Sequence, residues 1–214
     1  AGGDRPAWGA GAPVLEARGL QVAPAAGAPI VASGDLALRA GEIVALVGPS
    51  GTGKSTLAKA LCGMADVRAG AVLLDGTRLE RMRRRSRAQR RAVRWVPQDA
   101  LDALQADVAI GAAVRRHIPA PRRLGEAHAQ NLLASVGIPA SHLGRRPVAL
   151  SGGQRQRAVL AKALATDPQV IVCDEVTSAL DANATRLVID ALAARAKAGA
   201  AVLLVTHDPA LAAQ

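Results

Sequence analysis

A chain of 214 residues that is half apolar can build one sizeable core with room for a smaller subdomain. The formal charge of +10 would suit nucleic acid, but nine arginines and Glu80 between Arg78 and Arg94 account for +8 of it, and only Trp8 and Trp95 could stack on bases. Nucleic acid is therefore not an expected partner; no apolar run approaches the ~20 residues of a membrane-spanning helix, and the two cysteines, Cys62 and Cys173, sit in apolar sequence as in a reduced compartment.

Residues 1–13 are rich in Gly, Ala and Pro and read as a linker or disordered lead, and the start at Ala1 reads as a trimmed terminus. Alternating apolar residues predict strands over Val14–Val22 and Asp35–Arg39, with a loop over 23–29 between them. Glu42–Val47 predicts a short buried strand, followed by a glycine-rich loop to Thr56 and an apolar-faced helix over Leu57–Met64. Ala71–Asp75 with Gly76 predicts another strand and turn. The arginine run that follows reads as one helix with a solvated face; a surface for acidic groups, lipid headgroups or a partner protein is the alternative. A further strand is expected over Val93–Gln98.

From Asp99 to about Leu150 the helical pattern is broken by Pro119, Pro121, Pro139 and Pro147, which predicts an inserted helical subdomain of short helices, taken as about 99–165. Then come a helix (Arg155–Ala165), a strand (Val170–Cys173), a helix (Thr185–Ala198) and a strand (Ala201–Val205). Alternation of this kind predicts an α/β fold whose mainly parallel sheet is covered on both faces.

Two stretches have the form of a glycine-rich loop opening a helix, where unpaired N–H groups and the helix dipole make a seat for phosphate. In GPSGTGKST (Gly48–Thr56) the glycines Gly48, Gly51 and Gly53 let the backbone curl around phosphates, Lys54 reaches the β and γ oxygens, and Ser55 offers a hydroxyl to Mg²⁺. The second, LSGGQRQR (Leu150–Arg157), has no lysine. The strand at Val170 delivers Asp174 and Glu175 at its C-terminal end, where open α/β sheets place ligands. Asp174 suits Mg²⁺ and Glu175 suits the attacking water, although a helix cap would use the same residues. The last strand ends at His207, poised to donate to a γ-phosphate.

The ordered set GPSGTGKST, Gln98, LSGGQRQR, VIVCDE, SALD (Ser178–Asp181) and His207 strongly resembles the nucleotide-binding ATPase domain of ABC transporters, and LSGGQ is what narrows it beyond phosphate-loop NTPases in general. The resemblance runs from about Val14 to Gln214. It implies a phosphate-loop NTPase core with a mainly parallel sheet, an N-terminal antiparallel β subdomain and an inserted helical subdomain. It further implies ATP and Mg²⁺ as cofactors, a second ATPase domain paired head to tail in a homo- or heterodimer, transmembrane permease subunits as partners, and a place on the cytoplasmic face of the membrane.

Carried over residue by residue, Gly48, Ser50, Gly51, Gly53, Lys54, Ser55 and Thr56 hold phosphate and Mg²⁺. Gln98 senses Mg²⁺ and the attacking water, and relays to the membrane subunit. Ser151, Gly152, Gly153 and Gln154 contact the γ-phosphate of the opposite protomer. Asp174 serves Mg²⁺, Glu175 is the catalytic base, Asp181 couples the two sites and His207 positions the γ-phosphate.

LSGGQRQR with DEVTSALD looks most like the importers of dipeptides, oligopeptides and nickel; accessory ATPases of phosphonate breakdown, and those of translation, are the soluble alternative. Two features depart from the family pattern. VAPAAG over 22–27 has no aromatic residue to stack on adenine, so either ATP binds more weakly, a partner supplies the ring, or apolar contacts from Val22, Pro24 or Val31 substitute. The chain also stops seven residues after His207, which reads as a C-terminally truncated domain.

Overall fold

The computed structural model describes residues 12–22, 34–101, 103–119 and 125–212. Most of the expected lead, the loop over 23–29, and Pro24 and Val31 as base contacts fall outside these residues.

Strand β1 (Leu15–Val22) buries Leu15, Ala17, Leu20 and Val22. It pairs antiparallel with β2 (Leu36–Leu38) and β4 (Val67–Leu74), and β4 turns back into β5 (Thr77–Arg78). The turn is Asp75-Gly76, with φ of 48° and 73°, the left-handed pair that matches the twist of a two-residue hairpin. Val22, at 0% exposure, is committed to this sheet's core, so it is not available to contact a base. Gly70 has φ +82° where β4 passes β1, and a Cβ there would overlap the carbonyl oxygens of Arg18 and Gly19. Gly70→Ala is expected to destabilise the fold by about 2–4 kcal/mol, read as a lower denaturant midpoint at unchanged slope.

The second sheet is parallel, with order β3-β8-β7-β6 from β3 (Ile43–Val47), β6 (Val93–Val96), β7 (Val170–Asp174) and β8 (Ala201–Thr206). Every residue of β7 and β8 is buried, as near-continuous apolar runs in a doubly covered sheet require. Val172 and Leu203 point into a core shared with the antiparallel sheet and helix α1 (Lys54–Leu61). Ile171, Val202 and Leu204 point the other way, into a core with Leu160 and Leu192. Those two belong to α5 (Gly152–Leu164) and α6 (Ala182–Lys197). The register pairs Val47 with Thr206, Asp174 with Val205 and Val96 with Cys173. The segments leaving these four strand ends therefore emerge along one edge of the sheet.

Between β6 and β7 the proline-broken segment folds as short helices, α3 (Ile110–Arg115) and α4 (Gly125–Ser135), which pack on α5. The arginine run is not one helix. Arg78 ends β5, Met82–Arg84 form a single 3₁₀ turn, and α2 is only Arg87–Ala92. Arg94 already belongs to β6. Ser86 breaks the run by capping α2: its Oγ accepts from the Gln89 N–H at 3.1 Å while the Gln89 Oε1 accepts from the Ser86 N–H at 2.9 Å. Nor is the face wholly solvated. Arg83 and Arg84 are exposed, whereas Arg85 is 2% exposed.

Candidate functional site

Helix α1 begins at Lys54, three residues before the expected start, so the loop's own residues make its first turn. Gly51 and Gly53 sit at φ 82° and 88°, a conformation glycine adopts without a Cβ penalty. Gly53 is the N-cap and no side chain caps the helix, which leaves its first N–H groups facing the loop. The Lys54 ammonium folds over this loop and donates to the carbonyls of Gly48 and Pro49, each at 2.7 Å. Lys54 is 8% exposed, so carbonyl oxygens stand around it where phosphate oxygens would.

Ser55 follows on α1 and its Oγ donates to Oδ1 of Asp174 at 2.8 Å, joining the phosphate loop to the end of β7. Asp174 is buried, and burial pushes its carboxyl above the usual carboxylate range; the Ser55 hydrogen bond opposes the shift and neighbouring Glu175 adds to it. Folding thus disfavours the ionised form. The group's contribution to stability is greatest at low pH and declines as pH rises through the folded-state pKa. Asp174→Asn, which keeps an acceptor for Ser55, is expected to raise the melting temperature of the nucleotide-free protein at pH 7 by about 2–4 °C. A calorimetric scan should show the gain shrinking as the pH falls toward the ordinary carboxylate range of about 4, because the raised pKa lets folded Asp174 take up its proton before the unfolded chain does.

Glu175 sits at φ 48°, an uncommon conformation for a side-chain-bearing residue, and two bonds hold it there. Its N–H donates to the Val205 carbonyl at 3.0 Å, and its carbonyl accepts from the Ser178 hydroxyl at 2.9 Å. Its Oε2 accepts from Gln98 Nε2 at 2.8 Å, and its Oε1 lies 3.4 Å from His207 Nδ1. A cavity of about 380 Å³ is lined by Ser50, Gly51, Gly53, Lys54, Ser55, Thr56, Gln98 and Glu175. His207 lines the groove on the other side of Glu175, with Ser178 and Thr206.

The second motif lies elsewhere. Ser151 caps α5, accepting from the Gln154 N–H at 3.2 Å while Gln154 Oε1 accepts from the Ser151 N–H at 3.0 Å. Ser151 and Gly152 are exposed, and none of Ser151, Gly152, Gly153 and Gln154 lines the phosphate-loop cavity. Gly153 packs so that a Cβ would come 3.0 Å from Leu180. Asp181 is the N-cap of α6, its Oδ1 accepting from the Ala184 N–H at 2.7 Å. Within one chain, then, the two predicted phosphate seats do not meet.

One positioning residue escaped the sequence reading. Gln156 is buried and its Nε2 donates to the Pro97 carbonyl at 2.7 Å, tying α5 to the segment that carries Gln98. Its signal was the second glutamine of LSGGQRQR, a polar residue two places before the buried run that begins at Ala158.

A family model described as ABC transporter matches residues 32–178. The zinc import ATP-binding protein ZnuC of Paracoccus denitrificans (strain Pd 1222) is 38% identical over 199 residues, covering 92% of this chain and 70% of that protein. The nickel import ATP-binding protein NikE of Pseudomonas putida (strain KT2440) is 39% identical, covering 83% of this chain and 67% of its own length. The oligopeptide transport ATP-binding protein OppD of Mycobacterium tuberculosis is also 39% identical, but this chain spans only 35% of it. Among solved structures, an ATP binding subunit of an ABC transporter superposes with a TM-score of 0.79 at 26% identity, covering 93% of this chain and 81% of that one.

Proposed function

The chain belongs to the ABC transporter family, in its ATP-binding ATPase part, and from that premise we propose that it hydrolyses ATP to power import of a small solute through transmembrane permease subunits. The observation that carries the reading is the convergence of Lys54, Ser55, Gln98 and Glu175 on one cavity of about 380 Å³.

In this reading the phosphates replace the carbonyls of Gly48 and Pro49 at the Lys54 ammonium, and the loop's N–H groups take the remaining oxygens. Ser55 and Asp174 hold Mg²⁺. Their hydroxyl and carboxylate oxygens are hard donors, and the described residues include no cluster of three or more ligating side chains. Such a sparse set suits an ion that keeps waters and phosphate oxygens. When bound, Mg²⁺ neutralises charge on the phosphate oxygens. Glu175 takes the proton of the attacking water as oxygen bonds to the γ-phosphorus and the bond to the ADP oxygen breaks. Gln98 orients that carboxylate and water, and His207 donates to the γ-phosphate.

Ser151 and Gly152, which are exposed, with Gly153 and Gln154 beside them, reach the γ-phosphate held by a second ATPase domain, and Asp181 couples the two sites across that head-to-tail pair. The described residues include no helix long and apolar enough to cross a membrane. As the ATPase subunit of an importer, the chain would sit on the cytoplasmic face, peripheral to its permease. Relatives of nearly equal identity carry names for zinc, nickel and oligopeptides. Peptides or nickel are proposed on LSGGQRQR and DEVTSALD. Affinity purification from membranes tests the transport reading: a co-purifying multi-span protein whose reconstituted complex shows solute-stimulated ATPase supports it, and a purely soluble complex overturns it.

A further inference from the structure

A second polar hollow, of about 130 Å³, lies between the β4–β5 hairpin and the turn after α1, and the ATP site makes no use of it. Arg78, Arg81 and Arg85 line it, against a single acid, Glu80. Arg85 is the buried member. Its Nε donates to the Glu80 carbonyl at 2.8 Å and its Nη2 to the Leu61 carbonyl at 3.0 Å, while its buried Nη1 has no hydrogen-bond partner among the described residues. The turn after α1 is shaped for this side chain. Gly63, at φ +76°, leaves open the space where a Cβ would come within 2.8 Å of Nη2.

A buried cation without a counter-charge is costly, and burial does pull the Arg85 guanidinium below its ordinary pKa. The other two arginines are held loosely. Arg81 pairs with Asp66 at 2.9 Å, but with side chains 65% and 55% exposed the pair contributes little and exchanges readily. Arg78 reaches the Gly70 carbonyl only at 3.4 Å. Two exchangeable guanidinium groups thus line the hollow, and the charge of Arg85, whose unpartnered Nη1 is buried, stands behind them. Guanidinium forks match the oxygens of phosphate-type anions, and the hollow well exceeds the ~30 Å³ share of a single water.

We propose that this hollow is a binding site for a small free oxyanion of the phosphate class, separate from the ATP site, with Arg85 as its buried anchor and Arg78 and Arg81 closing over it. Inorganic phosphate titrated into the ¹⁵N-labelled full chain tests this directly. The backbone signals of Gly63 and Gly70 and the Arg85 Nε–H signal are expected to move along one saturating curve. That curve should persist in Lys54→Ala, which removes the ammonium from the other phosphate seat. Arg85→Gln is expected to weaken it about tenfold, and Arg81→Gln, at an exposed position that leaves the fold intact, about threefold. Signals that stay still, or drift without saturating in wild type, mean the hollow holds water only and overturn the proposal. Should Arg85→Gln not fold, unweakened binding by Arg81→Gln overturns it equally.

Discussion

Glu175→Gln is expected to lower the ATPase rate by about 10²–10⁴-fold while ATP still binds. The substitution keeps side-chain length and leaves the main-chain bonds to Val205 and Ser178 that hold the kink. The amide oxygen still accepts from Gln98. What disappears is the basicity needed to take a proton from water. Nothing in the Lys54, Ser55 and Asp174 constellation changes, so nucleotide affinity should stay near wild type, and ATP-loaded protein should accumulate as a dimer instead of turning over. Steady-state turnover, nucleotide titration and size-exclusion chromatography with ATP together check this. A rate within about threefold of wild type would remove Glu175 as the base and leave its contacts with Gln98 and His207 structural.

The meeting place of these residues was legible because it lies at strand ends. The apolar runs of β7 and β8 announce strands buried on both faces, and a parallel register sends whatever follows them to one edge, so residues after Val47, Val96, Asp174 and Thr206 had to meet. The helix starts were read three residues late. Gly53 and Gly152 look like breakers by propensity, yet each stands where N–H groups have no earlier carbonyl to satisfy, which is the position glycine disturbs least.

The arginine run misled for a different reason. Charge density predicts solvent, and Arg85 is buried because the carbonyls of Leu61 and Glu80 and the bare α-carbon of Gly63 receive it, contacts that depend on the hairpin folding back over α1. The φ of Glu175 left no sequence trace, since one of the bonds that hold it, the N–H to the Val205 carbonyl, is long-range in sequence. Asp181 shows how local and functional readings coincide. Its carboxylate caps α6, and that same cap fixes the SALD turn at the exposed edge proposed to face a second domain.

If each ATP site is shared between two chains, two inactive variants should rescue each other. Lys54→Ala removes the one ammonium that lines the phosphate-loop cavity among the described residues, and Ser151→Arg puts a bulky cation where the exposed cap of α5 should meet the partner's γ-phosphate. Each variant alone forms pairs in which both sites are dead. In a mixed pair one site combines the two lesions, while the other combines an intact phosphate loop with an intact LSGGQ. Equal amounts of the two, co-refolded or exchanged through monomers, are expected to recover about a quarter of the wild-type rate, because half the pairs are mixed and each has one working site of two. The substitutions lie in separate elements, so recovery does not arise from repair within one chain. No recovery, with mixed pairs demonstrated by differential tags, would mean that Ser151 does not act across an interface between copies of this chain. The second phosphate seat would then have to serve a different ATPase chain, and the same experiment repeated with that chain carrying the Lys54-equivalent lesion would locate it.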